Sequence, residues 1–173
     1  MSSTLVQSHA LVPSLHKSHL YPMAVREPYS YLNDPAVPAF DAGTNFVVMD
    51  AHCALCARGA TWIARADQAE AFRIIPVQSS LGQSLLRHYG LDPADPNSWL
   101  YVRDGLAFED MDALIRVGKQ LGGRWRAFWL LRLFPPPLLR GLYHLIARHR
   151  ICLFGRGDLC NLPDAELQRR LVR

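Results

Sequence analysis

The stretch "FVVMDAHCALC", residues 46–56, constrains this chain more than any other. Phe46 to Asp50 is a short β-branched apolar run, the pattern of a central strand buried on both faces. Two cysteines three apart, Cys53 and Cys56, follow at once. From Cys53 to Ala66 the sequence reads as a helix, with Leu55, Ala60, Ile63 and Ala64 apolar and Arg58 and Arg65 elsewhere. A strand that feeds a helix in this way is the first unit of a layered α/β fold.

The rest of the order extends that unit. "FRIIPV" (72–77) is a second strand, and "SSLGQSLLRHYG" (79–90) opens on a serine cap, spaces Leu81, Leu85 and Leu86 helically and stops at a glycine. After the turn-rich "LDPADPNS", "WLYVRDGLAFED" reads as two short strands joined at Asp104-Gly105, a strong hairpin signal. "EDMDALIRVGKQLGG" (109–123) is a helix with acids in its first turn, favourable to the macrodipole, and a glycine stop. The sum is β-α-β-α-β-β-α, the order of a thioredoxin-like domain, and a three-layer core of that type is expected.

"RWRAFWLLRLFPPPLLRGLYHLIARHR" adds one or two C-terminal helices broken at Pro135 to Pro137, and a last helix is expected from about Asp164, behind Pro163. Residues 1–44 are rich in Ser, His and Pro without a sustained period, so a flexible N-terminal extension is expected there. The thioredoxin-like domain is expected over 45–165, with 166–173 as a C-terminal tail.

Composition narrows the class. With 173 residues, half of them hydrophobic, the chain can build one ordinary core, and four cysteines are too few and too clustered for a disulfide scaffold. No apolar core behind a basic start marks a signal peptide. "AFWLLRLF" and "GLYHLIA" fall far short of the ~20 residues of a spanning helix. A soluble, cytoplasmic protein is the expectation.

A cysteine at a helix start meets unpaired N–H groups and the positive end of the dipole, which favour thiolate over thiol. A second cysteine one turn later can attack a mixed disulfide formed at the first. On this reading Cys53 is the nucleophile and Cys56 the resolving thiol, with no metal or organic cofactor needed. His52 either adds positive charge beside them or is a solvated loop histidine. Haem attachment is excluded, because Ala57 stands where a histidine is required. Structural zinc lacks a second knuckle, since Cys152 and Cys160 are eight apart; two inert buried cysteines are the remaining rival.

"VVMDAHCALC" also resembles the Asp-x-x-Cys-x-x-Cys signature of the DCC family of predicted thiol-disulfide oxidoreductases. "FRIIPVQS" is similar to that family's second strand, "FEDMDALIRVGKQLGG" to the helix before its basic segment, and "LYHLIARHRICLFGRGDLC" to its ending. The resemblance spans about 45–165 and implies functional positions at Asp50, Cys53, Cys56, Arg150, Gly155 and Cys160. Ala51 departs from the family's glycine after the aspartate, and Cys152 stands where a non-cysteine residue is common.

Asp50 can relay a proton to or from the resolving thiol, or cap the turn through its oxygens. Cys160 is either a third redox thiol or a small buried hydrophobe. Pro96, ahead of "NSWLYV", is the candidate for the cis-proline that thioredoxin-like enzymes place before the third strand.

Between Ala113 and Gly157 stand nine basic residues (Arg116, Lys119, Arg124, Arg126, Arg132, Arg140, Arg148, Arg150, Arg156) and no Asp or Glu. Trp125, Phe128, Trp129, Leu133 and Phe134 can share one helix face there. The blander reading is a helix packed over the sheet with a solvated basic side. The functional one is a surface for an anionic membrane or an acidic partner. Without a recognised binding motif, nucleic acid is not expected. The expected function is therefore thiol-disulfide exchange with a thiol or disulfide substrate. The alternative is a non-catalytic module that binds through 124–156, its cysteines inert or zinc-bound.

Overall fold

The computed structural model describes residues 26–42, 45–95 and 99–172. Four strands form one sheet: β1 (Asn45–Met49), β2 (Phe72–Pro76), β3 (Leu100–Arg103) and β4 (Leu106–Phe108), in the spatial order β2-β1-β3-β4. β1 pairs parallel with β2 and antiparallel with β3, which pairs antiparallel with β4. This is the thioredoxin-like arrangement, with the β1–β2 crossover made by helix α1 (Ala54–Ala66).

Alternation along β1 builds two cores. Val47 and Met49 meet α1 (Ala57, Ala60, Ile63, Ala64) and helix α3 (Asp110–Leu121) through Ala113 and Val117. Phe46 and Val48 face helix α2 (Ser80–His88) through Leu81, Leu85 and Leu86. Leu85 and Leu86 are fully buried, each contributing about 2 kcal/mol by transfer from water. Every residue of β1 is buried, as its unbroken apolar run requires.

Local signals act where expected. Ser79 caps α2 by accepting from Gly82 N–H at 3.0 Å. The β3–β4 hairpin turns on Asp104 (φ 51°) and Gly105 (φ 75°), the paired positive angles of a tight primed turn.

Three regions differ from the reading of the sequence. Residues 26–42, assigned above to a flexible extension, lie against the α2 side: Tyr31 is buried edge-on to Phe46, their ring centres 5.4 Å apart. Buried His88 reaches Asp34 at 2.6 Å and Ser30 at 2.9 Å. The end assigned above to a tail from 166 packs on the domain as the helix expected from about Asp164, α5 (Ala165–Arg170) capped by Asp164. Leu167 is buried, and buried Arg170 bonds the Asp67 carboxylate at 3.2 Å and its carbonyl at 2.6 Å. Asp67 also accepts from the N–H of Phe72 at 2.9 Å, so one acid ties α5 to the turn entering β2.

The third is the aromatic segment. Gly123–Leu133 is a 3₁₀ helix lying on α3, followed by helix α4 (Pro136–Phe154), with Pro136 and Pro137 at its first positions. Trp125 and Phe128 are half-buried against Trp62, at 4.9 and 5.6 Å between ring centres. Trp129, Leu133 and Phe134 are exposed, so the five do not share one packed face. A 3₁₀ helix turns every three residues rather than every 3.6, which separates positions that an α-helix would align.

Candidate active site

The site is built at the C-terminal end of β1. Cys53 is the N-cap of α1, and its Sγ accepts from the N–H of Cys56 at 3.4 Å, so the first sulfur occupies the place of a capping oxygen. Cys56 stands one turn into the helix, close to Cys53. Burial pushes the Cys56 thiol up to about 12; the Arg150 guanidinium opposes the shift, while Cys53 and the Asp50 carboxylate add to it. Cys56 therefore holds its proton at neutral pH.

Asp50 is the hub of the polar contacts. Its carboxylate accepts from His52 N–H at 2.9 Å and Gln78 Nε2 at 2.7 Å, and pairs with the Arg150 guanidinium. Burial alone would raise its pKa, but the bonds from His52 and Gln78 and the charge of Arg150 outweigh it and hold the carboxyl below its ordinary value. Asp50 is thus an ionised anchor for Arg150, which is itself buried.

A strap covers the first cysteine. After α4, residues 155–159 run back antiparallel to 51–54: Ala54 N–H donates to Gly155 O at 3.2 Å, Gly157 N–H to His52 O at 3.0 Å and Leu159 N–H to Ala51 O at 2.9 Å. Arg156 bridges Cys53, whose exposure is 0 %. Gly157 is needed for this approach, because a Cβ there would lie 2.8 Å from Ala54 Cα.

Beside the strap lies a cleft of about 570 Å³, lined by Asp50, His52, Gln78, Asp95, Arg150 and Arg156 among others. A larger cleft of about 1010 Å³ runs between α1 and the 3₁₀ segment past Trp62 and Trp125. Neither cleft is lined by a cysteine; the smaller one holds Asp50, His52 and Arg150, the polar neighbours of the pair.

Asp50, His52, Cys53, Cys56 and Arg150 are thus brought together, Arg150 from 100 residues away. Cys160 is partly buried against the core that also holds Cys56, and no disulfide joins it to another cysteine. Cys152 is exposed on α4; two residues from Arg150 is 200° around a helix, so it faces the opposite way. Pro96 lies outside the described residues. Among the described residues no three His, Cys, Asp or Glu side chains gather as metal ligands would.

Three participants escaped the sequence reading. Gln78 bonds Asp50 and also accepts from Ala51 N–H at 2.9 Å, steadying the turn that carries alanine where the family has glycine. The parallel β1–β2 pairing was its available signal, since it sets residues just past the two strand ends side by side. Tyr143, on α4, senses Cys56 and Asp110; burial raises its phenol pKa first, and both neighbours add to the rise. Gly157 is recognisable only from the contact it permits.

Strand, capping cysteine, second cysteine a turn later and a buried carboxylate–guanidinium pair beneath them define a thioredoxin-like protein with a Cys-x-x-Cys site. The pattern of the DCC1-like thiol-disulfide oxidoreductase family matches residues 47–156, and the chain belongs to that family. It is 31% identical to the uncharacterised protein YuxK of Bacillus subtilis (strain 168) over 126 residues, 73% of this chain and 92% of YuxK. It is 27% identical to the DCC family protein At1g52590, chloroplastic, of Arabidopsis thaliana over 117 residues, 67% of this chain and 68% of that one. No solved structure matches.

Proposed function

We propose that the protein exchanges disulfides through Cys53 and Cys56. The observation that carries this reading is the Cys56 N–H donating to Cys53 Sγ at the start of α1. That contact sets the two sulfur-bearing residues one helical turn apart, the spacing that lets the second thiol attack a mixed disulfide formed at the first. Membership of a family described as thiol-disulfide oxidoreductases supports a redox role.

In the reducing direction, the Cys53 thiolate attacks one sulfur of a substrate disulfide. The substrate S–S bond breaks, one substrate thiolate leaves, and a Cys53–substrate disulfide forms. Cys56 then attacks the Cys53 sulfur, closes the Cys53–Cys56 disulfide and releases the second substrate thiolate, which takes up the Cys56 proton. Two electrons pass from the protein dithiol to the substrate. The reverse sequence oxidises a substrate dithiol.

Arg150 has the positioning role in this scheme. Its charge favours the Cys56 thiolate at the moment of resolution, and Asp50 holds the guanidinium in place. The strap must part from Cys53 for the first attack.

The test is equilibration in mixtures of reduced and oxidised dithiothreitol followed by peptide mass mapping. A single reversible Cys53–Cys56 disulfide is expected. Persistent thiols at both positions, or bridges made only through Cys152 or Cys160, would sink the mechanism.

A further inference from the structure

α4 is apolar on the side that does not pack. Its buried residues are Ala147 and Arg150, yet Leu138, Leu142 and Leu145 are 58%, 47% and 58% exposed and lie at i, i+4 and i+7. That spacing stacks them on one outward stripe, with Leu153 on the same side two turns on. In the preceding segment Trp129, Leu130, Leu133 and Phe134 are each more than half exposed. Soluble surfaces carry such residues singly; a continuous run of them marks an interaction surface.

Charge identifies what covers it. Among the described residues Arg124, Arg126, Arg148 and Arg156 make no ion pair, and no acid interrupts the chain from Ala113 to Gly157. A cleft of about 370 Å³ between α3 and the 3₁₀ segment is lined by Ile115, Arg116, Lys119, Arg126, Trp129 and Arg132. Four of its six walls are cations. Asp112 offsets part of that charge, bonding Arg116 at 2.6 Å and Arg132 at 3.1 Å. Guanidinium groups flanked by apolar walls suit a phosphate that is attached to something greasy.

Other occupants fit less well. A second copy of this chain would set arginines against arginines across a two-fold axis. Residues 1–25 contain no Asp or Glu, so they bring no complementary charge. An acidic protein would meet the arginines but would also need a groove shaped to the leucine stripe. An anionic bilayer offers negative charge at its surface and an apolar boundary just beneath it, without any matching groove.

We infer that the 3₁₀ segment and α4 form a peripheral docking face for a bilayer containing anionic lipid. Phosphate headgroups occupy the Arg116, Lys119, Arg126 and Arg132 cleft, and the stripe of Leu138, Leu142 and Leu145 enters the acyl boundary. The stripe runs toward Phe154, next to the strap over Cys53, so docking carries the cysteine pair to the membrane surface. This face does not depend on the redox reading, and each can fail alone.

The experiment is co-sedimentation of the full chain with vesicles of phosphatidylcholine, alone or mixed with phosphatidylglycerol, at low and raised salt. Sedimentation is expected only with the mixed vesicles and weaker in high salt. Lys119→Glu with Arg126→Glu should lower partitioning roughly tenfold or more, and Leu138→Ser with Leu142→Ser and Leu145→Ser should also release the protein. Thermal unfolding of the same variants should match that of the parent chain, which separates loss of docking from loss of fold. No sedimentation, equal sedimentation with neutral vesicles, binding unchanged in both variants, or a dimer in ultracentrifugation that the leucine changes dissolve would each overturn the inference. So would inorganic phosphate at low concentration displacing the protein from mixed vesicles, since that assigns the cleft to a free anion.

Discussion

Arg148 and Arg150 are two residues apart on α4 and sit in opposite surroundings. Arg150 is 7% exposed and bound to Asp50 beneath the cysteine pair. Arg148 is exposed and makes no ion pair among the described residues. One helix thus closes the redox corner with one face and offers a basic apolar surface with the other. The corner is held by the Asp50 carboxylate, which gathers Arg150, Gln78 and the His52 N–H. On the outer face Asp112 holds Arg116 and Arg132, while Arg126 and Arg148 make no ion pair among the described residues. A buried charge is informative because it must be paired, whereas an exposed leucine is informative only in company.

The strongest break of this contrast is Asp50→Ala. It removes the carboxylate that pairs with the buried Arg150 guanidinium and should destabilise the protein by about 3 kcal/mol, read from urea unfolding. Arg148→Ala should stay within about 0.5 kcal/mol. Adding Arg150→Met to Asp50→Ala should recover part of the loss, since it takes a buried charge out of the interior.

Glycines give the next contrast. Gly157→Val drives a side chain into Ala54 and should destabilise by about 1–3 kcal/mol. It should also speed alkylation of Cys53, because the strap pairs with the backbone that carries this fully buried residue. Gly141 sits inside α4, and a methyl group added to it would meet nothing within 4 Å, so Gly141→Ala should stabilise by roughly 0.5–1 kcal/mol. Thermal unfolding of the two variants should move in opposite directions.

The smallest effect at neutral pH is the titration of Cys56. Its folded pKa, about 12, lies above that of an unfolded thiol. Between those values the unfolded chain binds fewer protons than the native one, so stability falls as pH rises through that window. Stability is unaffected below it. Cys56→Ala should flatten this alkaline slope in unfolding curves taken at stepped pH, while Cys152→Ala on the outer face should leave it in place.

Much of the corner was legible because its signals are local. The capping cysteine, the serine cap of α2 and the Asp104-Gly105 turn are each decided by a few neighbouring residues. The buried β1 was legible from its unbroken apolar run. The partnership of Asp50 with Arg150 spans 100 residues, and only the family resemblance pointed to both ends. Gln78 had no local mark, since its role comes from strand pairing. The ordering of 26–42 was missed because a Ser- and Pro-rich stretch shows no period, although Tyr31 and His88 supply its anchors. On the outer face, apolar spacing was visible in the sequence. Whether anything covers an apolar face is decided by its neighbours, which spacing does not contain.

The most direct test of the central claim is to trap the mixed disulfide. Cys152→Ser protein, with its exposed thiol removed, is treated with an aromatic disulfide reagent and mapped by mass spectrometry, alongside the same protein carrying Cys56→Ala. The first should release both reagent thiolates and end with a Cys53–Cys56 disulfide; the second should stop with the reagent bound to Cys53. Reagent found only on Cys56 or Cys160, with Cys53 untouched in both proteins, would contradict the account.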